Sequence, residues 1–204
     1  MTRTRKKPSH IDSGELRYFV REVERQTKFA LLAAEELRVW LEPGKGNTED
    51  RVDREWAAIQ ALLTAVGCLA YLFWPNEKGS PNRGAVLRTL FSLGEGSALR
   101  RFWHLRNSVV HFDNELDVYL KGAVDETFVD SNIGPPPEAA FGADGARVLR
   151  HFNPISWSLT FRDTTYDMEP LLREIATIFD RAGALTNQIT SGVDVQRVAG
   201  IGRS

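Results

Sequence analysis

Cysteine is almost missing from this chain of 204 residues, which carries one, Cys68. A single thiol excludes an internal disulfide and suits a reducing compartment, so the cytoplasm is the expected location. Cys68 lies inside an apolar helical run and reads as a small core residue. An excess of one charge is also missing. Lys and Arg total 26 against 27 Asp and Glu, a formal net charge of −1. No global basic field announces nucleic acid, and any such binding must rest on a local patch. No G-x-S-x-G, P-loop or G-x-G-x-x-G is present, and Gly94-x-Gly96 by itself is too weak a signal. Metal-ligand spacing is lacking too, with no H-E-x-x-H and no paired cysteines. Of His10, His104, His111 and His151, only His104 and His111 share a predicted helix, and they stand two turns apart. Neither a metal nor a cofactor is therefore expected. No apolar segment follows the basic residues Arg3, Arg5, Lys6 and Lys7, so no signal peptide is expected. The longest apolar run, Ala57 to Trp74, is interrupted by Gln60 and Thr64 and flanked by polar turns. It reads as a central bundle helix and not as a membrane span, so no membrane partner is expected.

What is present is an ordinary globular composition, 42% hydrophobic and 26% charged, with length for one core and little room for two. A basic, disordered tail is expected over residues 1–11, a single helical domain over 12–190 and a flexible tail over 191–204. Asp12-Ser13-Gly14-Glu15 has capping-box spacing and opens a first long helix marked by Leu16, Phe19, Val20, Val23, Ala30, Leu31, Ala34 and Leu41. Pro43-Gly44-Lys45-Gly46 ends it. A second long helix starts over Asn47 to Asp50, carries Val52, Trp56, Ile59, Leu63, Val66, Ala70 and Phe73, and closes at Trp74-Pro75. The segment from Asn76 to Gly84 reads as a loop before a short apolar helix, Ala85 to Leu93. An insert over about 121–165 contains Gly134-Pro135-Pro136-Pro137 and an expected β-hairpin over 148–161, turning at Asn153-Pro154. In its second strand Ile155, Trp157, Leu159 and Phe161 alternate with Ser156, Ser158 and Thr160, which predicts one buried face. Tyr166-Asp167 should cap a last helix with Leu171, Ile175, Ile178, Ala182, Leu185 and Ile189 on its core side. The fold class is mainly α: four long helices in a bundle, with a small β-hairpin inserted before the last.

The chain is organised around one further helix, Ser97 to Leu120. Gly94-Glu95-Gly96 stops any earlier element and leaves Ser97 to cap the first amides, and Lys121-Gly122 marks the exit. Leu99, Phe102, Leu105, Val109, Phe112, Leu116 and Tyr119 form its apolar stripe. Arg100, His104, Asn107 and His111 stack on one ridge. Arg106 lies five residues before His111, so the two diverge by about 140° round the helix. One helix cannot easily close both on a small group, whereas two antiparallel copies can bring one chain's arginine toward the other's histidine.

Arginine and histidine are the parts needed for phosphodiester chemistry without a metal. His111 titrates near neutrality and can take or give a proton, while Arg106 forks onto phosphate oxygens. Asn107 can hold the imidazole or bind a phosphate oxygen. Arg100, Arg101 and His104 either extend a basic groove for RNA or form salt bridges with acidic neighbours. Asp113 either orients a histidine or pairs on a solvated face. Trp103 and Trp157 read as core and not as stacking platforms.

Two long helices, a later helix bearing R-N-x-x-x-H from Arg106 to His111, and a closing helix resemble the HEPN superfamily over Asp12 to about Thr190. The resemblance implies a metal-independent endoribonuclease with a site shared across a homodimer, of the kind used as toxins or antiviral-defence effectors. By that implication Arg106 binds the scissile phosphate, His111 is the acid/base and Asn107 supports them, with a cognate antitoxin or defence-system protein as a further partner. Some toxins of this superfamily carry a tyrosine two residues after the histidine. Here that position is Asp113. The alternative is a non-catalytic dimeric module that binds RNA or protein, which the near-neutral charge favours.

Overall fold

A computed structural model of the chain describes residues 13–44, 48–75, 81–102, 105, 117, 119, 121, 128–135, 147–162 and 164–192. The tail expected over 1–11, and all but the first two residues of the one over 191–204, lie outside them. Helices and a small mixed sheet make up the fold.

Helix α1 (Ser13–Leu41) buries Leu16, Val20, Val23, Ala30, Ala34 and Leu37, the three- and four-residue steps of a core-facing stripe. Thr27 is buried in that stripe without cost, because its Oγ1 donates to the Val23 carbonyl at 2.8 Å. Helix α2 (Thr48–Phe73) packs along α1. By length and composition it could cross a membrane, yet Ile59, Leu62, Val66, Leu69 and Phe73 are fully buried in the shared core. Its Cys68 is partly buried.

Helix α3 (Pro81–Phe91) begins four residues before the sequence expectation, which placed a loop through Gly84. Proline suits a first helical position, where no amide hydrogen is needed. Gly84 is not turn punctuation. A Cβ there would stand 2.5 Å from Pro75 Cδ and 2.7 Å from the Phe73 carbonyl oxygen, so only hydrogen lets α3 seat on the end of α2. Two α3 arginines then serve the spent carbonyls of α2: Arg83 Nη2 donates to Tyr71 O at 3.2 Å, and Arg88 Nη1 to Phe73 O. Ser92, at φ 55°, ends α3 two residues short of Leu93.

Residues 98–102 and 105, labelled α4, are helical, as are 117 and 119. Leu99, Phe102, Leu105 and Tyr119 are buried, as their spacing predicts; Val109, Phe112 and Leu116 lie outside the described residues. Helix α5 (Met168–Thr190) buries all six core positions read from the sequence. Asp167 caps it, Oδ1 accepting from the Glu169 amide at 3.0 Å, and Gly192 follows its end at φ 81°.

The expected hairpin is part of a larger sheet. Strands β1 (Phe128–Val129) and β3 (Arg147–Val148) form a parallel pair. Strands β2 (Asn132–Ile133), β4 (Arg150–Asn153), β5 (Ser158–Phe161) and β6 (Thr164–Asp167) form a four-stranded sheet in the order β2-β4-β5-β6. Here β2 runs parallel to β4, and the other neighbours are antiparallel. Phe152, Leu159 and Phe161 turn one face into the helical core. Ile155 does not share it. At 87% exposure it belongs to the turn, where Asn153 Oδ1 accepts from the Ile155 amide at 2.9 Å. Trp157 breaks the alternation at φ 47°, and its ring still meets Phe152 edge-on at 5.6 Å, under the Arg38 guanidinium.

Candidate functional site

Helix α4 is entered through a polar joint that the last helix supplies. Ser97, almost fully buried, precedes α4, and its Oγ accepts from the Arg100 amide at 3.4 Å. Glu174 reaches across from α5. Its Oε2 accepts from Ser97 Oγ at 2.9 Å and from the Leu99 amide at 2.8 Å. Two turns further along α5, Arg181 Nε donates to the Leu90 carbonyl. Seven residues apart, Glu174 and Arg181 share a face of α5. The carboxylate thus meets the positive end of α4, and the guanidinium meets the negative end of α3. Both helix poles beside the Ser92–Ser97 connection are neutralised by one element.

Arg106, Asn107 and His111, together with His104 and Asp113, lie outside the described residues. Of the expected RNA contacts, Arg100 and Arg101 are described, both in the first turn of α4. Arg100 forms an ion pair with Glu95 in the connection and stays 41% exposed; Arg101 is exposed. Further along, Tyr119 ties its segment to the sheet: its hydroxyl donates to Val148 O at 3.1 Å, and the Arg147 guanidinium stacks 3.9 Å from its ring centre.

Three polar features went unread in the sequence because their partners lie far apart along the chain. Arg150 grips Asp130 with two hydrogen bonds, Nε to Oδ1 at 2.7 Å and Nη2 to Oδ2 at 2.6 Å. That hydrogen bond raises the guanidinium above its ordinary pKa, against the opposing effect of burial. Trp56 Nε1 donates to the Ser131 carbonyl at 2.8 Å. His151 is buried with Nδ1 2.8 Å from the Asn132 side-chain amide nitrogen, within hydrogen-bond distance. Such a satisfied histidine is structural in character.

Depressions on the described surface include two of ligand size. One, of about 430 Å³ between α1 and α2, has a floor of alanines such as Ala33, Ala57 and Ala61 and carries Glu36, Asp50 and Asp53 against Arg54. Its acidic balance disfavours a polyanion. The other, of about 290 Å³, lies between α2 and the sheet, walled by Trp56, Ile59, Leu63, Leu159 and Phe161. Among the described residues, no three His, Cys, Asp or Glu side chains cluster to hold a metal ion. Compared with protein-family models, curated proteins and solved structures, the chain has no significant match in any of the three.

Proposed function

We propose that the chain is a metal-independent endoribonuclease with the HEPN-type helical-bundle arrangement, acting in the cytoplasm as a homodimer in a toxin or antiviral-defence role. The observation that carries this reading is the sequence pattern Arg106-Asn107 followed four residues later by His111, in a stretch the sequence predicts as a helix. In this reading the 2′-hydroxyl of RNA attacks the adjacent phosphorus. His111 moves the proton, and Arg106 of the facing subunit stabilises the charge that builds on the phosphoryl oxygens. The product carries a 2′,3′-cyclic phosphate and the leaving strand a 5′-hydroxyl. Asn107 holds the imidazole or a phosphate oxygen. Arg101 and His104 contribute cationic contacts to the RNA backbone, and Arg100 less, since Glu95 already neutralises it.

A second reading, a dimeric module that binds RNA or a partner protein without cleaving, is favoured by the formal net charge of −1 and by the Arg100–Glu95 pair. Asp113, in place of a modifiable tyrosine, argues against control by modification of that side chain. Wild type and His111→Ala, both checked for folding and dimerisation, are incubated with mixed RNA in EDTA. Chelator-resistant cleavage by wild type alone supports the enzyme. Retention of RNA without cleavage by either supports the module.

A further inference from the structure

The pocket between α2 and the sheet has lining side chains that other parts of the chain hold in place. Its walls are apolar, two of them aromatic, Trp56 and Phe161, while Gln60 lines it from an exposed position. Its volume of about 290 Å³ sits at the small end of ligand cavities. Two lining side chains are locked from behind by one short turn. Asp130 holds Arg150 through both carboxylate oxygens, and the next carbonyl, Ser131 O, accepts from Trp56 Nε1. The turn is itself pinned, since Asp130 Oδ1 also accepts from the Ser131 amide at 2.8 Å. Ser131 adopts φ 54°, a left-handed conformation that costs a non-glycine residue energy and persists where the surroundings dictate it. A strained turn thus fixes the Trp56 ring and the Arg150 guanidinium, so the pocket is formed before any ligand arrives.

We propose that this pocket binds an uncharged planar heteroaromatic ring, seated against Trp56 and Phe161 with its hydrogen-bonding edge toward the Gln60 amide. Flatness is asked for by the two aromatic walls. Neutrality follows from the Arg150–Asp130 pair, which already matches the charge of the one ionised lining side chain among the described residues. The polar edge is asked for by Gln60, which offers both a donor and an acceptor. None of Arg106, Asn107 or His111 enters the inference, so it stands apart from the ribonuclease reading.

The test is a titration of the full chain with nicotinamide and with adenine, followed through the Trp56 indole N–H resonance, which Trp56→Phe identifies. Cyclohexanecarboxamide, with the same amide edge and no flat ring, is the control. Both heteroaromatic probes should shift that resonance saturably, with dissociation constants on the order of 1 mM or tighter. The control should bind at least about fivefold more weakly, and Gln60→Ala, a change at an exposed site, should weaken the heteroaromatic probes by a similar factor. No saturable shift, equal binding of the control, or unchanged affinity in Gln60→Ala would each overturn the proposal.

Discussion

Removing the carboxylate that α5 lends to α4 should loosen the entry of α4 more than the rest of the molecule. Glu174→Ala deletes the acceptor for Ser97 Oγ and for the Leu99 amide, at 2.9 and 2.8 Å. Hydrogen bonds to a charged group are worth about 1.5–3 kcal/mol each in favourable settings. Glu174 is only partly buried, so water recovers part of that loss, and Ser97 Oγ still serves the Arg100 amide. Loss of a negative charge at a helix N-terminus adds about 0.3–1 kcal/mol. The net expectation is about 2 kcal/mol, or a Tm lower by about 4–8 °C for a chain of this size. Glu174→Gln keeps an acceptor for the Leu99 amide and should cost about half as much. Urea unfolding followed by circular dichroism gives the stability, and amide exchange at Leu99 and Arg100 locates the effect. Equal stability of wild type and Glu174→Ala, with exchange at Leu99 unchanged, would refute the claim that Glu174 builds this joint. Ser97→Ala should couple to it: the double mutant should be less destabilised than the sum of the two singles, because both remove one shared network.

Gly84→Ala should destabilise despite the better helix propensity of alanine. The new Cβ would meet Pro75 Cδ at 2.5 Å and the Phe73 carbonyl at 2.7 Å, so overpacking of about 1–3 kcal/mol and a displaced Arg88 cap outweigh a propensity gain of about 1 kcal/mol; a variant as stable as wild type in urea would contradict that close approach. Tyr166 is held above its ordinary pKa by burial, with Arg162 pulling the other way. Below pH 10 both folded and unfolded chains keep this proton; as the pH rises through about 10, the unfolded chain releases it first, so stability falls toward the folded pKa. Tyr166→Phe should therefore lose less stability than wild type between pH 9 and 11.5, and parallel curves would contradict the burial argument.

Elements that face the core in long regular stripes were legible in the sequence. The apolar spacing of α1, α2 and α5 predicts their buried faces, and the Asp167 cap and the Ser97 cap follow from short-range chemistry. The start of α3 was not legible, since Pro81 and Gly84 carry the same letters whether they break a chain or fit a tight seat. The sheet was legible only in its hairpin. Two-residue strands such as β1 and β3 are too short to show a period, and β6, Thr-Thr-Tyr-Asp, is a polar edge. Ile155 continues an alternation that Asn153 interrupts by turning the chain on its own carboxamide oxygen. The helix-end partners Arg181, Glu174 and Arg88 are contributed from other helices, and nothing local signals them. Of the candidate site, Arg106, Asn107 and His111 lie outside the described residues and rest on the sequence alone, whereas Arg100 is described. Its pairing with Glu95 required the connection to fold back beside the first turn.

The central claim is that Arg106 and His111, from two copies of the chain, act on one phosphodiester. Mixing Arg106→Ala with His111→Ala, each inactive alone, tests it most directly by cleavage of RNA in EDTA. A shared site predicts that mixed dimers regain activity, since one of their two sites keeps an intact arginine and an intact histidine. Wild-type cleavage with no recovery in the verified mixed dimer would contradict the shared site, and RNA left intact by the wild type itself would contradict catalysis.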